Sequence, residues 1–390
     1  MKASSVRDAL LAVPVPDELE AQRRAWAVVR GAYAEREQTP RHGWRLRLLV
    51  AVAVLAALVA AALSPPGRSV GGWIRDRVAG EEPTEPALVR LPSAGQLLVL
   101  SEQGPWLVRA DGSKRPLGRY EGASFSPNAL FVVATRERQV VALEPDGDVR
   151  WTVTRPTPVA DARWAPTPGY RVAYREGATL RVVVGDGTGD RLRAENVAPV
   201  APAWRPGEGR TVLAYASTDG RVHVVEAEGE QLWVADPGAT PEQLVWSDDA
   251  GRLLVITAGR RHPLYDAAGK PAGALETPEG QDVLDASFAP GTRGIGYSLY
   301  APQSGQSSIV FAGERLQQGE GRFEDIVFSP NGRWLLTGWP EADQLLFIGL
   351  PGVRRLVTVP GIGREFDPGG VGATSFPRVA EWCCRESASG

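Results

Sequence analysis

The stretch Ser124–Ala134, SFSPNALFVVA, is repeated near the other end of the chain as VFSPNGRWLLTG at Val327–Gly338. Both copies contain an aromatic residue, a small residue, a proline turn and then an apolar run. Related phrases lie between them, and the full set opens on Phe125, Trp164, Trp204, Trp246, Phe288 and Phe328. Successive aromatic residues are 39, 40, 42, 42 and 40 positions apart. Spacing this even indicates a structural repeat rather than an isolated motif.

Each phrase begins a unit of four short strands. A second apolar run follows it and ends on a hairpin turn, such as Asp146-Gly147 or Asp186-Gly187. A short final run, such as VRWTV, then completes the unit. A period of about 40 residues with four strands is typical of a β-propeller blade. The sequence therefore predicts an all-β propeller.

The two ends of the repeat region are incomplete in complementary ways. Residues 97–117 supply three strands without an opening aromatic strand, whereas Ser375-Phe376-Pro377 restores the opening phrase with nothing after it. We therefore predict a seven-bladed ring over residues 87–382, in which strand 376–382 pairs with the N-terminal strands. Such pairing removes exposed sheet edges. Six or eight blades are the alternatives.

The repeats resemble a known superfamily. SFSPN, FSPNGRWLLTG and VWSDDAGRLLVIT are similar to the repeats of WD-repeat and TolB-type propellers, and the resemblance covers residues 87–382. VVALEPDGDVRWTV and VHVVEAEGEQLWVA also resemble the outer strands of PQQ-type quinoprotein repeats. The full arrangement looks like single-pass envelope proteins of actinobacteria. The resemblance implies a binding role through loops at one mouth of the ring.

An uncharged apolar run, Leu48–Leu63, precedes the repeats. Sixteen residues are just short of the usual spanning length, but Trp44, Arg45 and Arg47 can extend it at the interface. We predict a retained transmembrane helix over residues 45–66. A buried core helix and a cleavable signal peptide are the alternatives, although a signal peptide has a short basic start. A linker rich in Pro, Gly and Glu follows over residues 67–86.

Arginines are more frequent before the span than after it, which favours a cytoplasmic N-terminus. Everything after the span, including the short tail over residues 383–390, would then lie outside the cytoplasm. The predicted localisation is the cell membrane, with the propeller outside the cytoplasm.

The cytoplasmic segment 1–44 carries helix signals. Asp17 and Glu20 form a capping box, and an apolar stripe follows that includes Leu19, Trp26, Val29 and Tyr33. A stripe on so short a segment predicts docking on a partner protein, on the membrane surface or on a second copy. A marginal helix that frays in water is the alternative.

Composition and motifs argue against an enzyme. The chain has 3 His and 2 Cys, and a formal net charge of −3 that does not favour nucleic acid. Neither a G-x-S-x-G elbow nor a phosphate-binding loop is present in the sequence. Asp146-Gly147-Asp148 and Asp186–Asp190 are better explained as hairpin turns than as calcium loops. No cofactor and no metal are predicted.

The turns between the second and third strands of each blade should share one face. Their cationic and aromatic residues are the candidates for contacting an anionic or carboxylate-bearing partner: Arg136, Arg138, Arg175, Arg260, Arg261, His262 and Tyr265. Solvated loop charge is the alternative for all of them. The adjacent Cys383 and Cys384 fit a free pair, a bond to each other or a link to another chain.

Two functions follow from this organisation. The first is a membrane-anchored binding or scaffolding module whose partner is another protein or an envelope component. The second is a transmembrane sensor with the layout of an anti-sigma factor, whose cytoplasmic helix holds a partner protein.

Overall fold

The computed structural model describes residues 88–166, 170–207, 209–350, 355–368 and 375–384. The predicted cytoplasmic segment 1–44, span 45–66 and linker 67–86 lie outside the described residues, and so do residues 385–390 of the tail. Within the described ranges, no helix combines the length and the apolar character needed to cross a membrane.

Seven antiparallel sheets of four strands make up the described chain, as the repeat count predicted. We number blades in chain order from the first complete repeat. Blade 1 contains β4 (Gly122–Phe125), β5 (Val132–Arg136), β6 (Gln139–Leu143) and β7 (Val149–Thr154). Blade 2 contains β8 (Val159–Trp164), β9 (Arg171–Glu176), β10 (Thr179–Val184) and β11 (Arg191–Ala194). Blade 3 contains β12 (Ala203–Trp204), β13 (Val212–Ala216), β14 (Val222–Glu226) and β15 (Gln231–Ala235).

The remaining blades repeat this order. Blade 4 contains β16 (Pro241–Trp246), β17 (Arg252–Thr257), β18 (Arg261–Asp266) and β19 (Pro271–Glu276). Blade 5 contains β20 (Asp282–Phe288), β21 (Ile295–Ala301), β22 (Gln306–Phe311) and β23 (Glu314–Glu320). Blade 6 contains β24 (Glu324–Phe328), β25 (Trp334–Trp339), β26 (Gln344–Gly349) and β27 (Leu356–Pro360). A short helix, α1 (Ile362–Phe366), follows blade 6.

Blade 7 joins the two ends of the propeller. Its inner strand is β28 (Arg378–Cys383), and its outer strands are β1 (Gln96–Ser101), β2 (Gly104–Arg109) and β3 (Lys114–Pro116). β28 runs antiparallel to β1. The predicted closure by the C-terminal strand is therefore present, and blade 7 has four strands like the other blades.

The register of β28 corrects one detail of the prediction. Trp382 pairs with Leu97, just as Phe328 pairs with Leu335 in blade 6. Trp382, and not Phe376, thus holds the aromatic position of the last blade. The reason is packing, because Val379 and Trp382 enter the core between blades 6 and 7, while Phe376 only packs against its edge.

Large side chains fill the seams between neighbouring blades. Trp204 is buried among residues of blades 2 and 3, and Trp246 among residues of blades 3 and 4. In the outer strands, Trp151 donates to the Gly185 carbonyl at 2.7 Å and Trp233 donates to the Ala267 carbonyl at 3.2 Å. Both bonds reach the next blade, so these tryptophans pack and tether adjacent blades, as the sequence suggested.

Candidate functional site: the central channel and the upper face

The two ends of the ring differ in the loops that they carry. We call the upper face the end at which the chain enters each inner strand. The turns between second and third strands lie at this face, because neighbouring strands are antiparallel. The opposite end is the lower face, and it carries the proline turns of the repeated phrase.

The inner strands of all seven blades line a central channel of about 730 Å³. Its wall combines apolar side chains with polar ones, which include Asp161, Arg163, Gln243, Asp285 and Glu381.

Three of the channel residues form a ladder of hydrogen bonds between blades. The Gln243 Oε1 atom accepts from the Ala286 N–H at 3.1 Å, and Asp285 Oδ2 accepts from the Ile326 N–H at 2.5 Å. Asp325 Oδ2 accepts from the Val379 N–H at 2.7 Å. Each bond links one inner strand to the next, so the ladder crosses blades 4, 5, 6 and 7.

β-Bulges aim these side chains along the ring. The pairing of the inner strand shifts between Pro241 and Gln243, between Val283 and Asp285, and between Glu324 and Val327. A bulge disrupts one ladder position and redirects a side chain. The freed backbone groups of one blade are thereby satisfied by the carboxylate or amide of its neighbour.

A second contact set continues the ring into blades 1 and 2. Glu381 Oε2 accepts from the Phe125 N–H at 2.8 Å, which ties the C-terminal strand to blade 1. Arg163 Nη1 donates to the Ala123 carbonyl at 3.4 Å. These groups hold the inner strands together, so their first role is structural.

Burial dominates the electrostatics of the ladder. It raises the pKa of Asp285 to about 6, and the bonds from Ile326 and Gln243 lower the pKa again only in part. Burial also raises the pKa of Asp325 against the opposing charge of Arg378, and it raises the pKa of Glu381 against Arg163. The channel wall thus holds desolvated carboxylates whose charge is costly at neutral pH.

A cleft of about 300 Å³ opens at the upper mouth of the channel between blades 5, 6 and 7. Arg378 pairs with Asp325 at 3.1 Å there, yet 70 % of its side chain is exposed. Arg322 lies over the Tyr300 ring at 5.0 Å. Two guanidinium groups therefore stand at this mouth with accessible donors.

Four of the predicted site residues lie exposed on the upper face: Arg136, Arg138, Arg260 and Arg261. Arg136 donates to Gln139 at 2.8 Å, and Arg261 approaches Glu276 at 3.5 Å. Arg175 is half-buried and pairs with Asp161 at 2.6 Å. The ring separates these arginines among blades 1, 2 and 4, so they form a distributed basic surface rather than one pocket.

His262 and Tyr265 do not belong to that surface. His262 is fully buried, and its Nδ1 accepts from the Thr257 N–H at 3.2 Å, while burial lowers its pKa. Tyr265 is buried against Trp233 and donates to the Asp236 carbonyl at 3.2 Å. The structure places neither side chain beside Arg260 and Arg261 on the surface, because β18 is covered on both faces by the neighbouring blades 3 and 5.

Asp146 and Asp186, the first residues of the two aspartate-rich segments, each stabilise a hairpin turn. Asp146 Oδ1 accepts from the Asp148 N–H at 3.1 Å, and Asp186 Oδ1 accepts from the Thr188 N–H at 2.9 Å. Such bonds are the usual way in which aspartate stabilises a turn. Across the described ranges, no three His, Cys, Asp or Glu side chains come together as a metal site.

Cys383 and Cys384 form a disulfide with each other. Cys383 lies at the lower end of the channel, and Cys384 Sγ is 3.2 Å from the Pro127 carbonyl oxygen of blade 1. The pair thus ends the closing strand against the first repeated phrase.

Sequence reasoning missed the hydrogen-bond ladder. A signal was present, because Asp161, Gln243, Asp285 and Asp325 each stand three residues before the aromatic residue of their blade. A polar residue at one fixed position of a buried inner strand marks a group with a repeated bonding task.

The fold and this site define a seven-bladed β-propeller whose ring is closed by its own C-terminal strand. No protein-family model matches the chain, and no curated protein matches it. The solved structure titled Crystal Structure of Mitotic Checkpoint Complex is similar, with 17% identity, a TM-score of 0.49, and coverage of 61% of this chain and 78% of that chain. Kuenenia stuttgartiensis Hydrazine Synthase is similar over 58% of this chain and 75% of that chain, with 14% identity and a TM-score of 0.44. The assignment of seven blades rests on the strand order of this chain.

Proposed function

We propose that the protein is a membrane-anchored, non-catalytic binding module whose propeller lies outside the cytoplasm. The observation that carries the proposal is that the charged groups of the channel and those of the upper face have different surroundings. Charged groups of the channel wall bond to neighbouring blades, whereas the arginines of the upper face keep accessible donors. A ring that carries charged loops on one face suits recognition of another protein.

The chemistry of the upper face favours an anionic partner. Arg138, Arg260, Arg322 and Arg378 present planar guanidinium groups, which bind carboxylates in a bidentate manner. They are spread over blades 1 and 4 and the cleft between blades 5, 6 and 7. We therefore infer an extended segment or surface rich in Asp and Glu, on a protein or another envelope component.

The membrane anchor is supported by the apolar run Leu48–Leu63 and its flanking arginines. Protease treatment of intact, wall-free cells tests the orientation, with one epitope tag at each end of the chain. Loss of the C-terminal tag with retention of the N-terminal tag is expected. Retention of the C-terminal tag with loss of the N-terminal tag overturns the orientation. Detergent-opened cells, in which both tags should be lost, are the control.

A sensor role is the second candidate, favoured by the apolar stripe Leu19, Trp26, Val29 and Tyr33. In this version the stripe binds a cytoplasmic protein, and the propeller relays a signal from outside. The full chain and its Trp26→Ala/Tyr33→Ala variant should be crosslinked in cells and compared. A cytoplasmic protein that is lost from the variant supports the sensor, and identical captures count against it.

A further inference from the structure

The strand that closes the ring ends in two adjacent cysteines that are bonded to each other. Cys383 is the last residue of β28, Cys384 follows it, and their sulfur atoms form a disulfide. We call the contact of residues 380–384 with residues 123–129 of blade 1 the closing seam. The disulfide lies in this seam at the lower end of the channel, so it is independent of the function proposed above for the upper face.

The cysteine pair is held between two blades. On the side of blade 7, Gly95 has φ of 113°, and a Cβ there would lie 2.7 Å from the Cys383 carbonyl oxygen. On the side of blade 1, Cys384 Sγ is 3.2 Å from the Pro127 carbonyl oxygen, and Cys383 Sγ is 3.9 Å from that of Ser126. Both cysteines also pack against the core between the two blades. A change in the pair therefore alters contacts of blade 7 and blade 1 together.

The disulfide does not cross-link distant parts of the chain. Cys383 and Cys384 are neighbours in sequence, so the bond encloses almost no loop and removes little freedom from the unfolded chain. Closure of the ring is noncovalent, through the pairing of β28 with β1. The disulfide can therefore be broken without opening the ring, and its direct effect is on the local conformation of the pair.

That local conformation is uncommon for a residue with a side chain. Cys384 has φ of 62°, in the left-handed region that a Cβ makes unfavourable. Because the disulfide joins the side chains on either side of one peptide unit, it restricts backbone rotation in both residues. Without the bond, Cys384 would be free to return to an ordinary φ, and its sulfur atom would leave the Pro127 carbonyl.

The pair is also accessible to a small reductant. Neither cysteine is fully buried, and Cys383 lines the lower end of the central channel. Accessibility is one of the features that open a disulfide to attack by a thiolate. The two thiols that result stay neighbours in the chain, so the bond re-forms without a search through the unfolded state. The position therefore suits a bond that is broken and re-formed while the propeller stays folded.

We propose that Cys383 and Cys384 are a site of reversible thiol–disulfide exchange with a dithiol reductant, and that reduction loosens the closing seam. One thiolate of the reductant attacks a sulfur of the bond, forms a mixed disulfide and releases the other cysteine as a thiolate. The second thiol of the reductant then displaces the first cysteine. The reductant leaves as a disulfide, and the two cysteines gain the two electrons and two protons that it loses.

Trapping with N-ethylmaleimide tests the exchange itself. The full chain is incubated without denaturant in mixtures of reduced and oxidised dithiothreitol, alkylated and weighed by mass spectrometry. We expect a reversible change between no added group and two, because these are the only cysteines of the chain. Free thiols before any reductant is added, or alkylation that requires unfolding of the propeller, would overturn the proposal.

Hydrogen exchange tests the effect of reduction on the closing seam. Residues 122–131 and 378–384 should exchange about fivefold faster in the reduced chain, because release of Cys384 from its left-handed conformation favours local opening. Residues 241–257 of blade 4 are the internal reference and should not change. The Cys383→Ser/Cys384→Ser variant is the matched control and should exchange like the reduced chain with or without dithiothreitol. Equal exchange in the oxidised and reduced natural chain, or a response of the serine variant to the reductant, overturns the proposal.

Discussion

Asp325 links blade 6 to the strand that closes the ring: its Oδ2 atom accepts from the Val379 N–H at 2.7 Å, and its Oδ1 atom accepts from Arg378 at 3.1 Å. Asp325 lies on the inner strand of blade 6, and Val379 and Arg378 lie on the strand that closes blade 7. Asp325 is 4% exposed, so both bonds form in a desolvated setting. Closure of the ring therefore depends on a polar contact as well as on apolar packing.

Removal of this carboxylate should weaken the ring. Asp325→Ala leaves the buried Val379 N–H without its acceptor, and we expect a loss of about 2–3 kcal/mol in the free energy of unfolding. This loss is small for the removal of one partner of a buried ion pair, because the Arg378 side chain stays largely hydrated. Chemical unfolding followed by tryptophan fluorescence measures it. Asp282→Ala, an exposed acid at the start of β20, should change little, and equal losses in both variants would contradict the assigned role.

Asp285 should make stability depend on pH in a defined direction. Its folded pKa of about 6 lies above the value near 3.9 of an unfolded aspartate, so the folded state binds the proton more tightly. This contribution is fully present below about pH 4 and is lost as pH rises through 6. Relative to Asp285→Asn, the natural chain should gain on the order of 2 kcal/mol in unfolding free energy between pH 7 and 4. Parallel stability curves for the two proteins would show that Asp285 titrates normally.

Trp382 and Phe376 offer a direct test of the register of the closing strand. Trp382 is buried in the core between blades 6 and 7, whereas Phe376 is partly buried at its edge. Trp382→Ala should cost about 4 kcal/mol in unfolding free energy, and Phe376→Ala about 1 kcal/mol. The reverse order would favour the alignment that the sequence alone suggested.

Gly112 and Gly220 have nearly the same backbone conformation, with φ of 82° and 85°, but different surroundings. A Cβ at Gly112 would lie 2.0 Å from the Val89 carbonyl oxygen, whereas a Cβ at Gly220 would meet nothing within 4 Å. Gly220→Ala should therefore cost about 1 kcal/mol from backbone strain alone, and Gly112→Ala more than about 2 kcal/mol. Thermal unfolding of the two variants compares them, and equal shifts would show that residues 88–91 do not pack on the turn of blade 7.

The sequence predicted the repeat and the closure because both depend on a requirement that recurs locally. A large aromatic side chain recurs where neighbouring blades meet. Residues of this kind, such as Phe125, Trp164 and Phe328, therefore appear in the sequence at an even spacing, which makes the repeat visible. The ladder of Gln243, Asp285 and Asp325 was not predicted, because a bulge and its partner in the next blade are visible only once the strand register is known.

Two predictions, the aromatic residue of the closing strand and the exposure of His262, differ from the structure for local reasons. Phe376-Pro377 copies the repeated phrase, yet Trp382 six residues later occupies the core, and only pairing with Leu97 distinguishes them. β18 begins at Arg261, so Arg261 lies at the exposed end of the strand, whereas His262 and the three residues after it lie between the neighbouring blades. A shift of one residue in a strand boundary thus decides whether a side chain belongs to a surface or to the core.

The central claim is that the upper face of the ring binds a partner in the cell. The most direct measurement places a photo-crosslinking amino acid at Arg138 or Arg260 of the upper face, or at Arg293 of the lower face, in the full chain in intact cells. We predict capture of a discrete partner from Arg138 and Arg260, with none from Arg293, whose side chain is 81% exposed. Capture from Arg293 alone, or the same products from all three positions, would contradict the account.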